Sequence, residues 1–238
     1  MMRKICIGSA AACVAMINAQ ALAGAEEEHF DVWLQAGVGS LVTGAIAEDG
    51  TPLDSNHRVF GAEFGKEPTE PFAADELGFQ AIDGTFGAVE EFRVNITGPV
   101  ELWSGGGFGA TDETMTLEFG PSSVTSSAGF VAGFTFSADN LGGFHDHFEI
   151  ILNGAGGDPD PGIYLLPLSM ELTSSALDAT ETFYFVMNLG QLEDDHESAI
   201  DWVQANIVPA PATWALLAPA LLIGSRRRKN DSRADRTE

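Results

Sequence analysis

Between residues 28 and 192 apolar and polar side chains alternate with a period of two, and Gly, Pro, Asn and Asp break the alternation every few residues. Successive side chains of a strand point to opposite faces, so this pattern buries one face of each short strand and leaves the other to water. It predicts strands over 29–36, 39–47, 58–64, 91–97, 100–104, 113–119, 128–137, 144–153, 162–172 and 181–188. No useful stretch of 3.6-residue period intervenes, which argues against βαβ crossovers. The expected fold is all-β: an antiparallel β-sandwich, jelly-roll-like, closed by one C-terminal amphipathic helix. Residues 65–90, with Pro68, Pro71, Gly78, Gly84 and Gly87, read as a long irregular connection, and Gly105-Gly106-Gly107 as a loop tip.

The helix is expected over 194–207. Glu193, Asp194 and Asp195 place negative charge and a cap at its start, and Pro209 lies just past its end. Ala199, Ile200, Val203 and Ile207 share one face, and His196 lies on the same face. His196 has two readings there: a core histidine at the edge of the packing, or a ligand aimed at the sheet.

Both ends of the chain differ in kind from this middle. Met1 to Lys4 is a basic stub and Ile5 to Ile17 an apolar run, followed by small residues at Ala21-Leu22-Ala23. Residues 1–25 therefore read as a secretory signal peptide. Cys6 and Cys13, the only two cysteines of the 238-residue chain, both fall inside it. The mature domain, 26–207, is thus expected to lack disulfides, thiolate zinc sites and cysteine nucleophiles. From 26 to 208 only Arg58, Lys66 and Arg93 oppose 32 acidic residues, a net charge of −29. Such a surface repels phosphates, which argues against a nucleic-acid partner and against docking on an anionic membrane.

The tail, 208–238, joins Pro209-Ala210-Pro211, an apolar segment over 212–225 and the basic cluster 226–229. Fourteen residues make a helix of roughly 21 Å against a hydrocarbon core of about 30 Å. Spanning would need a thinned bilayer or snorkelling arginines, with the arginines inside and the acidic domain outside. An ordinary tail anchor would look similar. With Pro209, Pro211, Thr213, Trp214, Arg226, Arg227 and Arg228, the tail resembles the PEP-CTERM sorting signal of exported bacterial proteins. It departs from that signal at Ala210, where the family usually has Glu. The resemblance implies processing by an exosortase-type membrane transpeptidase, transient attachment to the inner membrane, and a destination in the cell envelope, at the surface or outside.

Histidine supplies the chemistry. In strand 144–153, Phe148, Ile150 and Leu152 mark the core side, while His145, His147 and Glu149 project from the other face in steps of about 7 Å. In strand 29–36, Phe30, Val32 and Leu34 face one way and His29 and Asp31 the other. If the two strands are neighbours, imidazole and carboxylate donors gather on one patch. The expected metal ligands are His29, Asp31, His145, His147 and His196, with Glu149 as a further one. Such a nitrogen and oxygen set suits zinc first, and also copper(II) or nickel. The competing reading is a set of polar residues on a solvated sheet face. His57, in the Asp54-Ser55-Asn56-His57 turn, has no partner in its strand pattern and reads as structural.

Further motifs look like one group of PEP-CTERM proteins: His29-Phe30-Asp31, Arg58-Val59-Phe60-Gly61 with Phe64-Gly65, Phe144-His145-Asp146-His147-Phe148, Gly162-Ile163-Tyr164-Leu165-Leu166 and Phe183-Tyr184-Phe185-Val186. Some cyanobacterial members of that group are under a zinc-responsive repressor, which implies a link to zinc supply and no particular reaction.

Other chemistry finds less support. Residues 153–162 carry Asp158 and Asp160 in a Gly-rich loop that could bind calcium, though a plain hairpin loop fits better. Asn95-Ile96-Thr97 matches a glycosylation sequon but falls within a strand. Gly-x-Ser-x-Gly, His-Glu-x-x-His and Walker motifs are absent. The leading expectation is an exported envelope protein that captures or stores a transition metal. A structural protein partnered with exopolysaccharide matrix comes second, and a metal-dependent hydrolase third.

Overall fold

The computed structural model describes residues 30–174 and 177–208. The signal segment 1–25, His29 and the tail from 209 onward, with its apolar stretch 212–225, lie outside them. Among the described residues, no helix is long and apolar enough to cross a membrane.

The described residues form a β-sandwich of sixteen strands and one helix. The first sheet holds β1 (Phe30–Ala36), β2 (Leu41–Ala47), β3 (Pro52–Asp54), β6 (Gly78–Ala81) and β13 (Phe144–His147), in the order β13-β6-β1-β2-β3. Facing it is a seven-stranded sheet whose main path is β12 (Val131–Ser137), β7 (Glu91–Ile96), β15 (Gly162–Leu172), β16 (Phe183–Leu189) and β4 (Val59–Glu63). The hairpin of β8 (Glu101–Trp103) and β9 (Phe108–Ala110) joins it through β15. A third, four-stranded sheet runs β11 (Ser122–Thr125), β10 (Thr114–Phe119), β14 (Glu149–Asn153) and β5 (Ala73–Ala74). Pairing is mostly antiparallel, but β1 with β6 and β16 with β4 run parallel.

Without cysteines to staple it, the sandwich is held by apolar area, most visibly by phenylalanine. Phe79 of β6 stands 6.1 and 6.0 Å from Phe183 and Phe185 of β16, and Phe144 stands 5.0 Å from Phe92. These contacts fasten the first sheet to the seven-stranded one. Phe60, Phe79, Phe92, Phe148, Phe183 and Phe185 are all nearly or wholly removed from solvent. Burying an aromatic of this size contributes on the order of 2–3 kcal/mol, and tilted or edge-on ring pairs add to it.

Helix α1 (Glu193–Asn206) closes the outer face of the seven-stranded sheet. His196, Ala199 and Val203 are its buried residues, packed with Val59, Ile163, Leu165 and Val186. Its N-cap is Leu192, which makes no side-chain capping bond; Glu193, Asp194 and Asp195 instead supply charge in the first turn.

Two sequence expectations need correction. The span 65–90 is not irregular throughout: it contributes β5 and β6, and β6 lies between β1 and β13. Strands 29–36 and 144–153 are therefore not neighbours. The stretch 144–153 is also two strands, β13 and β14, because the chain passes from one sheet to another at Phe148.

Candidate metal centre

The outer face of the first sheet can be read from its register. His147 pairs with Gly78 and His145 with Gln80 across the antiparallel β13–β6 ladder. On the other side of β6, Trp33 pairs with Gln80 in the parallel β1–β6 ladder, which sets Asp31 beside Gly78. Side chains of paired residues leave the sheet on the same side. One row thus reads His147, Gly78, Asp31, and the next His145, Gln80, Trp33.

Two strand spacings, about 9.6 Å, separate β1 from β13. The gap closes because the residue between Asp31 and His147 is a glycine. A Cβ at Gly78 would stand 2.7 Å from Asp31 Oδ1, 3.0 Å from Asp31 Cγ and 3.0 Å from His147 Nε2. With that atom missing, the carboxylate leans across β6 to the histidines. Asp31, His145 and His147 each offer a ligand atom, all within 4.8 Å of one another.

Finer contacts orient these atoms. The Gly78 backbone N–H donates to Asp31 Oδ1 at 2.9 Å, which turns Oδ2 toward the imidazoles. His147 Nδ1 lies 2.9 Å from the Asp75 carbonyl oxygen. A carbonyl only accepts, so Nδ1 carries the proton and Nε2 presents a lone pair. This is the outer-shell arrangement that fixes ring orientation in metal-binding histidines. His145 Nε2 lies 3.1 Å from His147 Nε2 and 2.8 Å from Asp31 Oδ2. The second contact is close but not aligned as a hydrogen bond, and Oδ2 has no donor although Asp31 is only 3% exposed.

A buried carboxylate oxygen with no donor is costly unless a cation meets it. Bonds of 2.0–2.2 Å to a tetrahedral ion put ligand atoms about 3.3–3.6 Å apart. The observed 2.8 and 3.1 Å would open by about 0.5–0.8 and 0.2–0.5 Å, with all three ligand atoms already within 4.8 Å of one another. The set fits a nitrogen- and oxygen-liganded divalent ion. Asp31 is buried while both histidines are exposed, so an ion has a way in.

Of the remaining expected ligands, His29 lies outside the described residues, and His196 and Glu149 are placed elsewhere. His196 is buried under α1 on the far side of the seven-stranded sheet; its Nε2–H donates to the Val186 carbonyl at 2.9 Å, and its ring packs on Gly61. Its Nδ1 is buried without a hydrogen-bond partner, but His196 joins no cluster of three ligating side chains among the described residues and packs as part of the core under α1. Glu149 opens β14 and lines a neighbouring cavity of about 470 Å³ with Glu70, Asp75, Glu118 and His147. Burial, and then the charges of Glu70, Glu118 and Asp75, raise its pKa. Asp146 points to the opposite face from its two neighbours, and burial raises its pKa against the lowering effect of both histidines. His57 is structural as expected, its ring wedged 5.1 Å from Phe30 and 5.0 Å from Phe60, and burial lowers its pKa. In the 153–162 loop Asp158 and Asp160 are exposed. That loop joins no cluster of three ligating side chains among the described residues.

Sequence reasoning missed Asp75, Gly78 and Gln80. The signal was present in Gly78-Phe79-Gln80-Ala81, where Phe79 and Ala81 alternate with two small or polar residues, but the surrounding Pro and Gly hid it.

No protein-family model matches the chain, and no curated protein is significantly similar to it.

Proposed function

We propose that this is an exported envelope protein that captures or stores a transition metal, zinc foremost, at Asp31, His145 and His147. One observation carries the metal reading: a buried carboxylate oxygen with no hydrogen-bond donor stands beside two imidazole nitrogens, one with its tautomer fixed by a backbone carbonyl. Export rests on the signal-like segment 1–25 and on the resemblance of the tail to a PEP-CTERM signal, which also supports an exosortase-type partner. The net charge of −29 between residues 26 and 208 favours the role further, since an acidic surface raises the local concentration of cations.

The test is zinc titration by calorimetry on chelator-stripped protein, beside the His145→Ala/His147→Ala double variant. The proposal expects a one-to-one isotherm of sub-micromolar affinity that the double variant loses. Weak, salt-sensitive, multi-site binding, equal in both proteins, would leave the acidic surface as the only attractor and favour a structural matrix protein.

A further inference from the structure

The site as described has three protein ligands, and three-ligand zinc sites keep a position open for water or substrate, whereas closed sites have four. Which of these this chain builds decides whether a bound ion is held or put to work. The face that carries Asp31, His145 and His147 also carries Gln80, two residues beyond Gly78 on β6 and directly opposite His145. Its Oε1 is sealed from solvent and meets no hydrogen-bond donor. Its amide nitrogen lies against the turn at Gly50, where an added Cβ would stand 3.4 Å from it. Gln80 and Asp31 thus share one chemical condition on one sheet face: each has a buried oxygen without a donor. Two buried oxygens left without a donor on one face are costly by themselves and complementary to a cation.

We propose that Gln80 Oε1 is the fourth ligand, closing a tetrahedral site of two nitrogens and two oxygens with Asp31 Oδ2, His145 Nε2 and His147 Nε2. The inference rests on the metal reading above and deepens it. A neutral amide oxygen adds no charge, so the site carries a single carboxylate and binds a divalent ion with net charge +1. With four protein donors no coordination position is left for an attacking water, and the site retains metal instead of performing hydrolysis. Trp33 is the neighbour of Gln80 in the register, and its indole N–H is also buried without an acceptor. The rival role for the amide is to accept from that indole.

The experiment uses Co²⁺ as a spectroscopic probe in the whole protein, with thiocyanate as an exogenous ligand. The wild-type visible spectrum should not change on adding thiocyanate, because no position is open. Gln80→Leu should bind Co²⁺ and Zn²⁺ at least about ten-fold more weakly, and its Co²⁺ spectrum should shift with thiocyanate. Gln80→Glu keeps an oxygen in place and should bind more tightly while staying insensitive to thiocyanate, which covers the case in which Gln80→Leu does not fold. A thiocyanate-sensitive wild type would overturn the proposal. So would affinities within two-fold of wild type in both variants, which would assign the amide to Trp33. Either result leaves the three-ligand reading standing. Only a wild type that binds no metal one-to-one removes both.

Discussion

Gly78 is the position where a single added carbon tests the site most sharply. In Gly78→Ala the new Cβ would begin 2.7 Å from Asp31 Oδ1 and 3.0 Å from both Asp31 Cγ and His147 Nε2. Ordinary contacts of this kind start near 3.4 Å, so the carboxylate must retreat by about 0.7 Å and the imidazole by about 0.4 Å. Functional constellations tolerate about 0.5 Å of misplacement, and disturbing the groups that orient metal ligands typically costs 10- to 100-fold in affinity. Zinc affinity should therefore fall 10- to 100-fold, about 1.4–2.7 kcal/mol. Calorimetry on stripped protein measures this, with far-UV circular dichroism to show that the sheet persists. Gly106→Ala, where an added Cβ meets nothing within 4 Å, is the control and should bind as wild type does. Zinc affinity within two-fold of wild type in a folded Gly78→Ala protein would refute the claim that Asp31 and His147 meet across an empty side-chain position.

Three other outcomes follow from the structure. His196→Ala removes a buried ring and its bond to the Val186 carbonyl, so it should cost about 2–4 kcal/mol in chemical denaturation and leave zinc affinity unchanged. Burial depresses the folded pKa of His57 below its ordinary 6.5, so the unfolded chain binds the extra proton first. Its contribution to stability is complete above pH 6.5 and is lost as the pH falls toward the folded pKa; urea melts of His57→Phe between pH 7.5 and 5 should show a shallower loss than wild type. The chain has only two tyrosines, with Tyr164 pushed up to about 12 by burial and by Glu113 and Asp160, and Tyr184 raised mainly by burial. Absorbance at 295 nm should therefore show little tyrosinate at pH 10, and half-conversion there in the folded protein would contradict the packing of β15 and β16.

Much of the fold was legible because the alternation is local. Val32 and Leu34 point inward and Asp31 outward, as the period of two requires, and α1 begins and ends within one residue of its expected bounds. The histidine pair and its aspartate were legible for the same reason. What the pattern could not reveal was non-local. Strand order placed β6 between β1 and β13, and a strand of four residues inside a Pro- and Gly-rich stretch carries too little periodicity to stand out. The change of sheet at Phe148 took Glu149 away from the triad although it continues the spacing of His145 and His147. His196 shares a helix face with apolar residues, and sequence alone could not say which face of which sheet that helix covers.

The most direct test of the central claim is anomalous diffraction at the zinc edge from crystals of the zinc-loaded protein. The account predicts one strong peak within about 2.0–2.2 Å of Asp31 Oδ2, His145 Nε2 and His147 Nε2. A peak confined to the acidic cavity around Glu70, Glu118 and Glu149, with those three atoms unliganded, would contradict it.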